Sequence, residues 1–209
     1  MKSFKHILVF SILFFMSANS LAQTTVMIGP RLTGNFNIYN QKGLTGTYNG
    51  IGIGVGAGVD VTFGKTLGLM VNLNAFDMRN FSNSQTQNQT TIEQSLSLSY
   101  LTIDPMFKTE FSGFYMAAGP SFGIKLNSSG ETTQTTTGQA PVVQPANLDT
   151  KSIRFDIVVG TGYTFKLSSE MGLGTDFMAY IPLTDTYNFP GLSNSVFTLK
   201  LGVALKFKI

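Results

Sequence analysis

Towards the end of the chain, apolar and polar positions alternate without a break. Phe197, Leu199, Leu201, Val203, Leu205, Phe207 and Ile209 share one parity, and Thr198, Lys200, Gly202, Ala204, Lys206 and Lys208 the other. Period two marks a strand with two unlike faces. The same alternation predicts seven earlier strands, over residues 25–39, 51–63, 67–79, 95–109, 114–126, 152–165 and 171–183. In the second, Ile53, Val55, Ala57, Val59, Val61 and Phe63 alternate with Gly52, Gly54, Gly56, Gly58, Asp60 and Thr62. In the fourth, Leu96, Leu98 and Tyr100 fall on one parity and Leu101, Ile103, Pro105 and Phe107 on the other. Either a β-bulge near Tyr100 resets the register, or the upper part of that strand stands above a membrane, where apolar residues can point inward. The second reading is preferred.

Connections alternate between short (64–66, 110–113, 167–170) and long (40–50, 80–94, 127–151, 184–194), and the long ones are rich in Asn, Ser, Thr and Gln. Pro141 and Pro145 bracket the only apolar pair of 127–151, Val142-Val143, which argues against further strands there. Short turns on one side and long polar loops on the other fit an all-β fold, an eight-stranded antiparallel up-and-down transmembrane β-barrel. An even strand count puts both chain ends on the short-turn, periplasmic side.

Composition decides which face is outside. Charged residues make up 12% of the chain, about half the ~25% usual for a soluble domain. A soluble lipocalin-like barrel would need a charged coat, yet the second face is mostly Gly, Ser, Thr, Asn and Ala. Small residues suit the crowded interior of a narrow barrel instead. The apolar face is therefore expected to meet lipid. Phe63, Phe107, Phe114, Phe165 and Phe207 fall at one rim, and Phe36, Phe155 and Phe197 near the other, as interface girdles should.

Residues 1–22 carry the parts of a cleaved signal peptide: Lys2 and Lys5, an apolar run over 7–16, and small residues at Ser20 and Ala22. That run is well short of the ~20 residues a spanning helix needs. Residues 23–209 then form the barrel domain. Without Lys2 and Lys5 the formal charge falls from +3 to +1, so a nucleic-acid partner is not expected. The chain has no Cys, and its one His, His6, leaves with the leader. Ser-His and Cys-His catalysis and imidazole-bound metals are thereby excluded from residues 23–209, and neither an enzyme nor a cofactor is expected. Gly52-Ile53-Gly54-Val55-Gly56-Ala57 matches a dinucleotide fingerprint only formally. That motif requires a helix to start at its glycines, and here the alternation runs on to Phe63.

Among the inward charges, strand order puts Arg31, Asp104, Asp176 and Lys200 at middle depth. They are expected to form part of a buried ion-pair network plugging the lumen, a structural filling first and a gate second.

The stretch from Tyr100 to Lys108, Tyr-Leu-Thr-Ile-Asp-Pro-Met-Phe-Lys, resembles a strand of the PorT-like outer-membrane β-barrel family of Bacteroidota. Phe114-Tyr115-Met116-Ala117-Ala118-Gly119-Pro120-Ser121-Phe122-Gly123 is similar to the strand that follows it in that family. Arg154-Phe155-Asp156-Ile157, continued to Gly160 and Gly162, is similar to a third. The resemblance implies an eight-stranded barrel in the outer membrane, in a family with one branch associated with type IX secretion and gliding. The leading functional expectation is a structural, adhesive or partner-docking scaffold, bound to outer-membrane lipid and touching an envelope protein through loops 80–94 and 127–151. The alternative is a narrow passage for small solutes. Ligand and oligomeric state stay open.

Overall fold

The computed structural model describes residues 24–41, 48–146, 149–188 and 193–209. The expected leader, residues 1–22, lies outside the described residues. The strands are β1 (Thr24–Gln41), β2 (Tyr48–Phe63), β3 (Leu67–Gln87), β4 (Thr90–Phe111), β5 (Phe114–Thr136), β6 (Val142–Pro145), β7 (Ile153–Lys166), β8 (Met171–Pro182) and β9 (Asn194–Lys208). Neighbours pair antiparallel, β5 pairs with both β4 and β7, and β9 returns to β1, with Leu32 opposite Val203 and Asn37 opposite Thr198. Eight strands thus close a ring, and β6 stands outside it. Closure leaves no sheet edge in the ring to carry unpaired backbone groups, the condition a sheet must meet in hydrocarbon. No helix among the described residues is long and apolar enough to cross a membrane.

The faces are those of a protein turned inside out. Leu201 is 66% exposed while its neighbour Lys200 is 0% exposed. Leu32, Ile51, Ile53, Phe107 and Val203 likewise point out, and Arg31, Asn35, Asn37, Asp60 and Thr198 point in. The lipocalin-like arrangement is excluded by this reversal. At one end the turns are tight: Ser112 and Gly113, with φ of 52° and 90°, make the two-residue turn that suits the twist of β4 and β5.

The structure corrects the expected segments in three places. First, β3 carries an extra residue at Ala75: Gly56 pairs with Asn74 but Val55 with Phe76, and the register against β4 shifts at the same level. Parity flips there, so Asp77, Arg79 and Phe81 face the lumen above the outward Leu69 and Leu73. In β4, by contrast, Leu98, Tyr100, Thr102, Asp104, Met106 and Lys108 are all buried on one parity. The inward apolar residues of its upper part need no bulge in β4 itself; the irregularities lie in its partners, β3 and, at Leu126, β5.

Second, residues 80–94 are not a loop. β3 and β4 stay paired to Gln87 and Thr90 across a two-residue turn in which Asn88 has φ 57°. Third, residues 127–151 contain further strand: β5 runs on to Thr136, and β6 folds back on it, with Val142 opposite Gln134 and Pro145 opposite Glu131. Above the ring both faces of a sheet meet water, so pairing there needs no apolar alternation. Pro145 is tolerated because β6 is an edge strand.

Candidate functional site

Among the described residues, buried ionic chemistry is concentrated in the lumen, and side chains fill it in three tiers. In the middle tier, Asp77 is the hub. It accepts hydrogen bonds from Asn35 Nδ2 at 2.7 Å, Lys200 Nζ at 2.9 Å, and Arg79 Nη2 and Nε at 3.0 and 3.2 Å. Arg79 reaches on to Thr198 Oγ1 at 3.0 Å and to Asp156 at 3.6 Å, and Arg154 Nε donates to Asp156 at 2.7 Å. Asp77, Arg79 and Lys200 have no exposed surface. Beside them Arg31 pairs with Asp176 at 2.5 Å. Gly202 makes that pair possible, since a Cβ there would run into the Arg31 guanidinium and the Asp176 carboxylate.

Asp104 is held differently. It accepts from Ser121 Oγ at 2.5 Å, Tyr180 Oη at 2.7 Å and Asn74 Nδ2 at 3.3 Å, and makes no ion pair among the described residues. Tyr180 is the link: its ring lies 4.1 Å from Lys200 Nζ and 5.4 Å from the Arg79 guanidinium. Cations over an aromatic face gain most where water is excluded.

At the turn end, Lys206 pairs with Asp60, and Lys108 bridges Glu110 at 2.8 Å and Asp60 at 3.9 Å. Both lysines lie over the Tyr115 ring, at 5.2 and 5.5 Å, packed with Met70, Met106 and Met178. At the opposite end Tyr39, Tyr48, Phe81, Leu98, Tyr100, Tyr187 and Val196 form an apolar lid. Tyr39 stacks on Phe81 at 5.1 Å and meets Tyr187 edge-on at 5.6 Å. Tyr187, on the connection after β8, is fixed there because Asn194 Oδ1 accepts the backbone N–H groups of Thr186 and Tyr187. Burial in the lid pushes its phenol well up from the ordinary range.

This outside-apolar, inside-ionic ring matches a known family. Residues 18–188 fit the family model described as outer membrane protein beta-barrel domain. The chain belongs to this family. No curated protein matches it. Among solved structures it is similar to Ail, the attachment invasion locus protein of Yersinia pestis, at 11% identity and TM-score 0.40, over 87% of this chain and 98% of that one. It is also similar to OprG of Pseudomonas aeruginosa at 12% identity and TM-score 0.42, over 89% and 95%. Neisserial surface protein A gives 9% identity and TM-score 0.41, over 90% and 99%. The protein is an outer-membrane β-barrel, and its place is the outer membrane of a Gram-negative cell.

Of the four barrel residues expected to pair, Arg31 and Asp176 meet directly, whereas Lys200 and Asp104 do not touch. Lys200 turns to Asp77, and Asp104 is satisfied by neutral donors. Asp77, Arg79 and Tyr180 escaped the sequence reading. The signal for the first two was present, because an Asp and an Arg on the lipid-facing parity of residues 67–79 would be costly in hydrocarbon. That conflict is itself a sign of a bulge. Inside the barrel, Arg31, Arg79, Lys108, Arg154, Lys200 and Lys206 lie among Asp60, Asp77, Asp104, Glu110, Asp156 and Asp176, and the half-buried Lys125 adds a further cation, which donates to Thr150.

Proposed function

We propose that this barrel is a non-enzymatic scaffold that works through the strands projecting beyond its ring. The observation that carries the reading is the filled lumen. The ion-paired tier is buried, with Asp77, Arg79 and Lys200 wholly inaccessible, and it is closed above by the tyrosine lid and below by methionines and lysine–carboxylate pairs. A narrow passage for solutes finds no support in such an interior. The absence of His and Cys from residues 23–209 supports the non-enzymatic part.

The docking elements are the β3–β4 hairpin, within 80–94, and the upper part of β5 with β6, within 127–151. Paired backbone makes them stiffer than loops, and stiff elements lose less entropy on binding. The partner is an envelope protein. On the strand motifs quoted above, the chain falls in the PorT-like group of Bacteroidota, and it is secreted by the leader in 1–22.

Photo-crosslinking residues at Gln85 and Thr133, with Phe107 as a lipid-facing control, test the reading in the native cell. A discrete crosslinked protein from the projecting positions, and none from Phe107, is expected. Lipid adducts alone from every position would overturn the docking role.

A further inference from the structure

The outer surface of the barrel changes character along a sharp line. On β4 the outward residues run Phe107, Pro105, Ile103, Leu101 and then, past the buried Ser99, Ser97 and Ser95; on β5 they pass from Ile124 and Leu126 to Ser129 and Glu131. On β3 the change falls between Met78 and Asn80, and on β2 above Ile51, which is 74% exposed. Apolar residues below this line must be covered by acyl chains. The headgroups of those same lipids must lie just above it.

At that level the surface is concave. A groove of about 520 Å³ is lined by Asn80, Ser82, Ser95, Ser97, Ser129 and Glu131, with Ile51 at its lower edge. Its volume falls within the ~300–1,000 Å³ of ligand pockets. Asn80, Ser97 and Ser129 lie in one cross-strand row, and Ser97 Oγ donates to Asn80 Oδ1 at 2.7 Å. No Lys or Arg lines the groove, and the one charged lining residue is a carboxylate. Hydroxyls and an amide both donate and accept, which suits a polyol. A phosphate would meet Glu131 with no cation to hold it.

We propose that this groove seats the uncharged sugar headgroup of an outer-leaflet glycolipid, whose acyl chains lie on Ile51, Ile124 and Leu126. The groove lies at the base of the same strands that carry the proposed docking elements, with Asn80 and Ser82 on β3 and Ser129 and Glu131 on β5, and nanodiscs without any partner protein read it separately.

The test uses the full barrel in nanodiscs holding phosphatidylcholine and, in equal amounts, two diacyl lipids with identical chains. One carries an uncharged disaccharide headgroup and the other a bare phosphate. Lipid retained per barrel after mild detergent extraction is read by native mass spectrometry. The glycolipid should be retained about tenfold over the phosphate lipid, a difference of ~1.4 kcal/mol. S97Y with S129Y fills the groove at outward strand positions that tolerate aromatics, and should abolish that preference while the barrel still resists unboiled detergent. Equal retention by the wild type, preference for the phosphate lipid, or a preference surviving in the filled barrel would each overturn the proposal. Should the filled variant fail to fold, Glu131→Lys supplies the missing cation and should move retention towards the phosphate lipid. An unchanged ratio there would also refute the site.

Discussion

Removing the Asp77 carboxylate tests the energetic logic of the lumen most sharply. In the native barrel it answers two cations at once, Lys200 at 2.9 Å and Arg79 at 3.0 Å, with none of the three exposed. Asp77→Ala leaves Lys200 with the Tyr180 ring, and leaves Arg79 with Thr198 and a more distant Asp156. Breaking a buried pair by deleting one partner costs about 3–5 kcal/mol, because an uncompensated charge remains. Asp77→Asn keeps hydrogen-bonding shape but not charge, and should cost less, about 1.5–3 kcal/mol, the worth of hydrogen bonds to charged groups. Adding Lys200→Met to Asp77→Asn removes the stranded charge as well and should recover much of that loss. Urea unfolding in lipid vesicles, scored by the fraction of protein that still migrates as a compact unboiled band, measures all three. An Asp77→Ala barrel within about 1 kcal/mol of wild type would refute the account, since that is the range of an ordinary substitution. A double variant no better than Asp77→Asn alone would refute the pairing of Lys200 with Asp77.

Gly202→Ala should destabilise the barrel by about 1–3 kcal/mol through overpacking against Arg31 and Asp176, while Gly34→Ala, whose Cβ meets nothing, should be neutral or slightly stabilising in the same urea assay. Val203→Arg, on the outward face at middle depth, should cost about 2–4 kcal/mol, and Phe107→Arg near the turn-end rim about 0–1 kcal/mol; equal costs would misplace the lipid belt. The raised phenol of Tyr187 gives a pH signature. An unfolded tyrosine loses its proton near pH ~10 while the buried one keeps it, so stability is intact below that pH and falls as pH rises through the folded value. Tyr187→Phe should show a shallower alkaline decline of the unfolding midpoint, and an identical slope would contradict burial of that phenol. Replacing residues 83–94 by a two-residue turn should leave heat-modifiable migration intact, because those residues stand outside the ring.

The ring was legible in the sequence because lipid imposes a strict rule on it. One face of each spanning strand must be apolar, so the alternation at Leu199–Leu205 or Ile53–Phe63 could not be mistaken. The same rule explains what was hidden. Above the lipid belt both faces of the sheet are wet, the constraint disappears, and paired strand at Asn83–Gln94 looks like polar loop. The bulge at Ala75 shifts Asp77 and Arg79 across the wall, whereas unbroken alternation through residues 67–79 would put the hub of the lumen on the lipid-facing parity. The partners inside were harder still to read. Arg31 and Asp176 lie 145 residues apart, and Asp77 and Lys200 lie 123 apart. Which inward charge meets which depends on how far the strands stagger around the closed ring, and alternation along one strand carries no record of that. That a network fills the lumen could be expected from charge parity, but not that Tyr180 joins its parts.

The central claim is that this outer-membrane barrel encloses no path. Single-channel recording of the purified wild-type protein in a planar lipid bilayer tests it directly, once compact unboiled migration shows that the inserted protein is folded. The filled, ion-paired lumen predicts a silent trace with no stable openings. Reproducible unitary openings would contradict it, and would return the protein to the class of solute passages.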